Sequence, residues 1–228
     1  MDYKAKQRET SFGKYWPVFS IYFTAIAISE IFSTIMGADE LYSLNVILGY
    51  VIWFYIANTA AECCFTYDRY KHLMQSFSVS FYVFILRDLT RLTIPFMHCL
   101  LISFVFIRLA DVFTILTIPI MFLVFVMVVC FTINIAFISA LLRIRYPDYT
   151  HILNTIIQGM FFITPIIWVS NPLIDRLPFL SLSPLFILFS EIRNLVIYQE
   201  ATFSSVIILI IVIMSGLTTF GLYRVIDA

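Results

Sequence analysis

VFTILTIPIMFLVFVMVVCFTINIAFISALL, Val112 to Leu142, contains no Asp, Glu, Lys, Arg or His. A continuous helix over this stretch rises about 46 Å at 1.5 Å per residue, against roughly 30 Å for the hydrocarbon core of a bilayer. The segment reads as a membrane span that is tilted, or that opens with an interfacial turn near Pro119. Outward from it, five further apolar stretches predict helices at residues 17–36, 44–66, 80–107, 152–170 and 204–223. The expected fold is an all-α membrane protein, one domain of six transmembrane helices over residues 1–228.

Composition points the same way. The chain is 61% apolar, 18% aromatic and 12% charged, and a soluble fold built from it would expose more hydrocarbon than water tolerates. Residues 1–16 are polar or aromatic, with no short apolar region and small-residue cleavage site before Trp16, so the first span is expected to be retained. The formal net charge is zero, which favours neither an acidic partner nor nucleic acid, and no nucleic-acid binding is expected. Charge placement says more than the sum. Lys4, Lys6, Arg8, Lys14, Arg69, Lys71, Arg143, Arg145 and Arg224 fall on one side of the predicted spans, and Arg108, Arg176 and Arg193 on the other. The positive-inside rule then predicts both termini in the cytoplasm. Cys63, Cys64, Cys99 and Cys130 lie in apolar stretches without a Cys-x-x-Cys spacing, so they read as small packing residues, and no metal site is expected.

Residues 171–203 break the pattern of short links. Pro172, Pro178 and Pro184 interrupt an apolar run, which is too broken to span as one helix and too apolar for a solvated loop. Short interfacial or re-entrant helices on the outer side, between helices five and six, fit best.

A charge at mid-membrane costs about 3 kcal/mol, so each polar group in a span needs a partner, water or an interfacial position. Glu30 has Ser33 and Thr34 one turn on and is expected to face protein or an aqueous cavity. Tyr55, Asn58, Glu62 and Thr66 share one face at helical spacing. Arg87, Arg91 and His98 line one side of the third helix, and Asp88 pairs with Arg91 at i, i+3. That cluster could grip a phosphate, but Arg87 and Arg91 snorkelling to anionic head groups from an inner-leaflet helix end is the favoured reading. His151, Asn154 and Gln158 form a similar stripe, open to interhelical hydrogen bonds or to substrate. No His-Glu-x-x-His, Gly-x-Ser-x-Gly or phosphate-binding loop occurs, so no catalytic residues are assigned and no nucleotide site of the chain's own is expected.

RIRYPDYTHILNTIIQGMFFITPIIW, Arg143 to Trp168, resembles a helix of the ABC-2 type permeases that export capsular polysaccharide, O-antigen and teichoic acid. The likeness lies in the basic-aromatic-x-acidic turn at Arg145, Tyr146, Pro147 and Asp148, and in the aromatic-rich Thr-Pro element at Phe161, Phe162, Thr164 and Pro165. SFGKYW, Ser11 to Trp16, resembles the family's entry into the first helix, after an N-terminal stretch short for its amphipathic gate helix. SPLFILFSEIRNLVI, Ser183 to Ile197, resembles its Asn-Pro element with Ser183 in place of the Asn, and GLYRVIDA, Gly221 to Ala228, resembles the ending of capsule permeases.

The resemblance implies a multi-pass protein of the bacterial inner membrane, working as a homodimer with two copies of a separate ATPase that binds ATP and Mg. The chain itself would hold no cofactor. A lipid-linked glycan would be the substrate, capsule slightly favoured, and periplasmic and outer-membrane export proteins are partners that the family allows. Asp68, Arg69, Tyr70, Lys71, His72, Leu73 and Met74, in the link 68–76, would occupy the coupling position against the ATPase, with Asp68 as a helix cap. From the residues alone that link is an ordinary positive-inside loop. Tyr15, Trp16, Tyr22, Phe23, Glu30, Trp53, Tyr55, Glu62, Arg87 and Arg91 are the candidates for the substrate path, and Pro172, Pro184 and Arg193 for an external gate. A drug or small-lipid exporter of the same fold stays open, as does an intramembrane lipid-modifying enzyme centred on Glu30, Glu62 or Arg87.

Overall fold

Long apolar stretches leave the backbone of a membrane protein one economical option, the helix, because hydrocarbon offers no partner for a free N–H or C=O. The computed structural model describes residues 15–36, 40–77, 79–109, 114–115, 117–168 and 184–198, and among these every regular element is helical. In chain order they are α1 (Trp16–Met36), α2 (Glu40–Cys63), α3 (Thr66–Ser76), α4 (Phe81–Leu109), α5 (Thr117–Arg145), α6 (Tyr149–Ile163) and α7 (Pro184–Arg193), the last continuing into a π-helical turn, Asn194–Tyr198. Four of them, α1, α2, α4 and α5, are long and apolar enough to cross a membrane. The chain therefore has the character of a membrane protein. The predicted span 204–223, Pro172 and residues 1–14 lie outside the described residues.

The ends of the helices follow local chemistry. α5 begins at Thr117 rather than at Val112, which places Pro119 in the first turn, where a missing N–H removes no intrahelical bond. Thr117 accepts the Thr114 N–H on Oγ1 at 3.0 Å, closing that entry. At the other end Arg143 and Arg145 extend α5 past Leu142, cations favourably placed at a helix C-terminus. α2 stops at Cys63 and the chain re-enters a helix at Thr66, so the 68–76 link is largely helical. Asp68 consequently sits in the first turn of α3, and Phe65 holds the cap position without a side-chain bond, which corrects the cap expected at Asp68.

α6 also departs from expectation. It ends at Ile163, not at residue 170, and its 15 residues rise only about 22 Å. The residue before a proline is pushed out of the helical region, and Thr164 has φ −73° and ψ 140°. Pro165 therefore terminates the helix instead of kinking it. Among the described residues, the proline past the first turn of a long helix is Pro95 of α4, which has no N–H to give the Arg91 carbonyl one turn back.

α2 is the central helix. It packs on α1, α4, α5 and α6, and its span is the most buried of the four. Leu48, Val51 and Ile52 of α2 join Val124, Met127 and Val128 of α5 and Ile166 in one core. Lipid is as apolar as such a core, so helix association rests on close packing and hydrogen bonds. Tyr22 of α1 donates to the Cys99 carbonyl and shares a hydrogen bond with Ser103 of α4. Tyr55 of α2 meets Thr93 of α4 at 2.8 Å and accepts from Thr132 of α5 at 3.3 Å, with its ring stacked on Phe96. The helices approach closely at Gly49, where a Cβ would stand 3.2 Å from Ile166 Cγ2. Gly49→Val is expected to destabilise the chain by about 1–3 kcal/mol through overpacking, read as a lowered unfolding midpoint in detergent.

Asp68 of α3 approaches Arg143 of α5 at 3.5 Å, which brings the segments bearing Arg69, Lys71, Arg143 and Arg145 to one end of the bundle. Arg193 is held by Asn45, near the start of α2, at the opposite end.

Candidate functional site

The junction of α2, α3 and α4 gathers charges that lie far apart in sequence. Glu62, on the last turn of α2, accepts on Oε2 from Arg69 Nη2 and from Arg91 Nη2, each at 2.8 Å. Arg69 Nη1 donates to Asp88 Oδ2 at 2.7 Å, and Arg91 Nε lies 3.6 Å from Asp88 Oδ1. Two carboxylates and two guanidiniums thus alternate around a closed ring. Asp88 is its buried member, with a side chain 0% exposed, against 37% for Glu62. A carboxylate at such a position must have its lone pairs satisfied, and Thr66 Oγ1 (2.8 Å) and the Tyr70 hydroxyl (3.0 Å) donate to it as well. Burial, and after it the adjacent Asp88 carboxylate, push the Tyr70 phenol above its ordinary range, so it remains a donor.

α3 is amphipathic around this anchor. Thr66 and Tyr70 are its buried residues, four apart and on one face. Lys71, His72 and Leu73 are exposed and Met74 half-buried. Of the seven coupling candidates, Arg69 and Tyr70 are bound to the ring and Asp68 to Arg143. Arg87 lies over the Tyr70 ring at 5.1 Å, so it braces α3 against α4.

Above the ring, between α1, α2 and α4, is a cavity of about 170 Å³. Asn58, Glu62 and Arg91 line its polar end, and Ile21, Phe54 and Phe96 are among its apolar walls. Three path candidates, Tyr55, Glu62 and Arg91, meet here. The others do not. Tyr15, Trp16, Phe23 and Glu30 are exposed on or just before α1, and the Ser33 and Thr34 hydroxyls bond to the Glu30 carbonyl rather than to its carboxylate. Tyr22 is buried against α4, and Trp53 is buried beside Phe161 and Phe189. His98 is exposed, its Nδ1 beside the Ile94 carbonyl and its ring edge-on to Tyr15. His151, Asn154 and Gln158 are exposed.

A second polar centre occupies the far end of α2. The turn after α6 carries carbonyls without helical partners, and side chains from two other helices meet them. Arg193 Nη2 donates to the Pro165 carbonyl at 2.7 Å, Asn45 Nδ2 to Ile166 at 3.5 Å and the Tyr42 hydroxyl to Ile167 at 2.6 Å. Arg193 Nε also donates to Asn45 Oδ1 at 2.9 Å. Arg193 and Pro184, the two gate candidates among the described residues, lie in α7: Arg193 clamps this turn to α2, and Pro184 opens the helix. Sequence reading missed Tyr42 and Asn45, whose only signal was polarity in an apolar helix.

Among the described residues no group of His, Cys, Asp and Glu is arranged to hold a metal ion, and the cysteines are free thiols. The chain matches no protein-family model and no curated protein.

Proposed function

We propose that the chain is the membrane-spanning subunit of an ATP-driven exporter that moves a lipid-linked polysaccharide, of capsule or O-antigen type, across the bacterial inner membrane. It acts as a homodimer of six-span subunits with cytoplasmic termini, driven by two copies of a separate ATPase that binds ATP and Mg. The observation that carries this reading is α3, a short amphipathic helix whose one face is exposed while the other is bonded to the ring at Asp88. A push on Leu73 or Met74 is passed by Arg69 and Tyr70 to α4, and by Arg69 and Glu62 to α2. This is the construction a lever needs: an outer contact surface and a stiff, charge-assisted inner attachment. The resemblance of Arg143 to Trp168 to capsule and O-antigen permeases supplies the substrate class.

The test is co-expression with the nucleotide-binding subunit of the same system. The ATPase is expected to co-purify and its turnover to rise in the complex. Lys71→Glu with Leu73→Asp, both exposed, is expected to lower that stimulation about tenfold, equivalent to ~1.4 kcal/mol, with an unchanged unfolding midpoint. Failure to capture any ATPase would count against the exporter, and turnover of a lipid substrate by the purified chain without ATP would establish a lipid-modifying enzyme instead.

A further inference from the structure

The cavity beside the ring has an unused hydrogen-bonding end. Glu62 takes both of its arginine bonds on Oε2, leaving Oε1 without a bond among the described residues. Asn58 makes no side-chain hydrogen bond there either, and offers one acceptor and two donor hydrogens. Arg91 gives Nη2 to Glu62 and keeps other N–H groups. An acceptor, an amide and a guanidinium edge together match a group that donates and accepts at neighbouring atoms.

Charge narrows the choice. The ring is neutral, so an anion drawn to Arg91 meets the Glu62 carboxylate, and a cation drawn to Glu62 meets Arg91. Neither gains. An uncharged group with adjacent hydroxyls satisfies both, and its C–H surface suits the apolar and aromatic walls at Ile21, Phe54 and Phe96. At about 170 Å³ the space is below the usual 300–1,000 Å³ of small-molecule pockets, enough for one head group and not for a whole lipid. We propose that this cavity binds the uncharged, hydroxyl-bearing head of a membrane amphiphile, a sugar ring or a glycerol. The site does not depend on the exporter reading, since it uses only the side chains between α1, α2 and α4.

Asn58 separates binding from integrity: Glu62 and Arg91 also hold the ring, whereas Asn58 holds nothing else. The chain is reconstituted in phosphatidylcholine nanodiscs, and binding of radiolabelled octyl glucoside, monooctanoylglycerol and octylphosphocholine is measured below their micellar concentrations. One saturable site is expected for the glucoside or the glycerol ester, with the phosphocholine about tenfold weaker. Asn58→Leu is expected to weaken the hydroxylated ligand about tenfold through the lost hydrogen bonds. Leu92→Phe, which narrows the cavity from its apolar side, is expected to weaken it as well. The tighter of the two hydroxylated heads identifies the source as sugar or glycerol. Equal binding of all three heads, or wild-type affinity in either variant, overturns the proposal.

Discussion

Asp88→Ala is expected to lower folding stability by about 3–5 kcal/mol, the cost of leaving buried charges without their partner. The carboxylate is wholly buried and receives the hydrogen bonds of Thr66, Arg69 and Tyr70, so truncation orphans two hydroxyls and one guanidinium arm at once. Glu62→Ala is expected to cost less, since its side chain is 37% exposed and water replaces part of what is lost. Unfolding in a mild detergent, followed by helical circular dichroism and by protease cleavage near Lys71, reads both effects. Because Asp88 is the inner anchor of α3, cleavage there should rise more than the global loss alone requires. A midpoint for Asp88→Ala within about 1 kcal/mol of wild type, the level of an exposed pair, would refute the ring as the fastening of α3.

Arg193→Leu is expected to cost about 3 kcal/mol, from two hydrogen bonds made by a charged donor at roughly 1.5–3 kcal/mol each. The loss is local in kind. Without the guanidinium the Pro165 carbonyl and the Asn45 amide oxygen lose their donor together, and the turn after α6 is left to Tyr42 and the long Asn45 contact. Arg193→Lys retains the charge but not the fork that reaches two acceptors from Nε and Nη2, so it should recover only about half of the loss. Hydrogen exchange at the Ile166 amide, which donates to the Thr164 carbonyl at 2.7 Å, reports the turn directly. Unchanged protection there in Arg193→Leu would show that the clamp is redundant.

Both predictions concern contacts that periodicity cannot supply. The sequence reading found four long helices to within about five residues because twenty or more largely apolar residues in a row admit few conformations, and at α5 and α6 the corrected ends fall where a basic last turn or a proline decides. It found the Asp88 and Arg91 pair because i, i+3 spacing puts both on one helix face. The rest of the ring was invisible: Glu62 reaches Arg91 across 29 positions, and Arg193 reaches Asn45 across 148. Such pairings depend on how helices turn toward one another. Composition does not encode that rotation, and in lipid the apolar faces are too alike to reveal it. From the residues alone the link at 68–76 reads as a basic loop, because the burial of Thr66 and Tyr70 depends on the Asp88 carboxylate that receives them; only the resemblance points to a helix there.

The two polar centres at the ends of α2 also differ in when they can form. A chain emerges from its N-terminus at about 5–20 residues per second. All four ring members lie between Glu62 and Arg91, so the α2, α3 and α4 unit has every charge it needs once α4 is made. The Arg193 clamp requires about 80 residues beyond Leu109, roughly 4–17 s of additional synthesis. Through that interval Asn45 and Tyr42 are already in place without their later partners. The order of synthesis therefore makes the partners at the α3 end of α2 available first, and those at the other end only with α7.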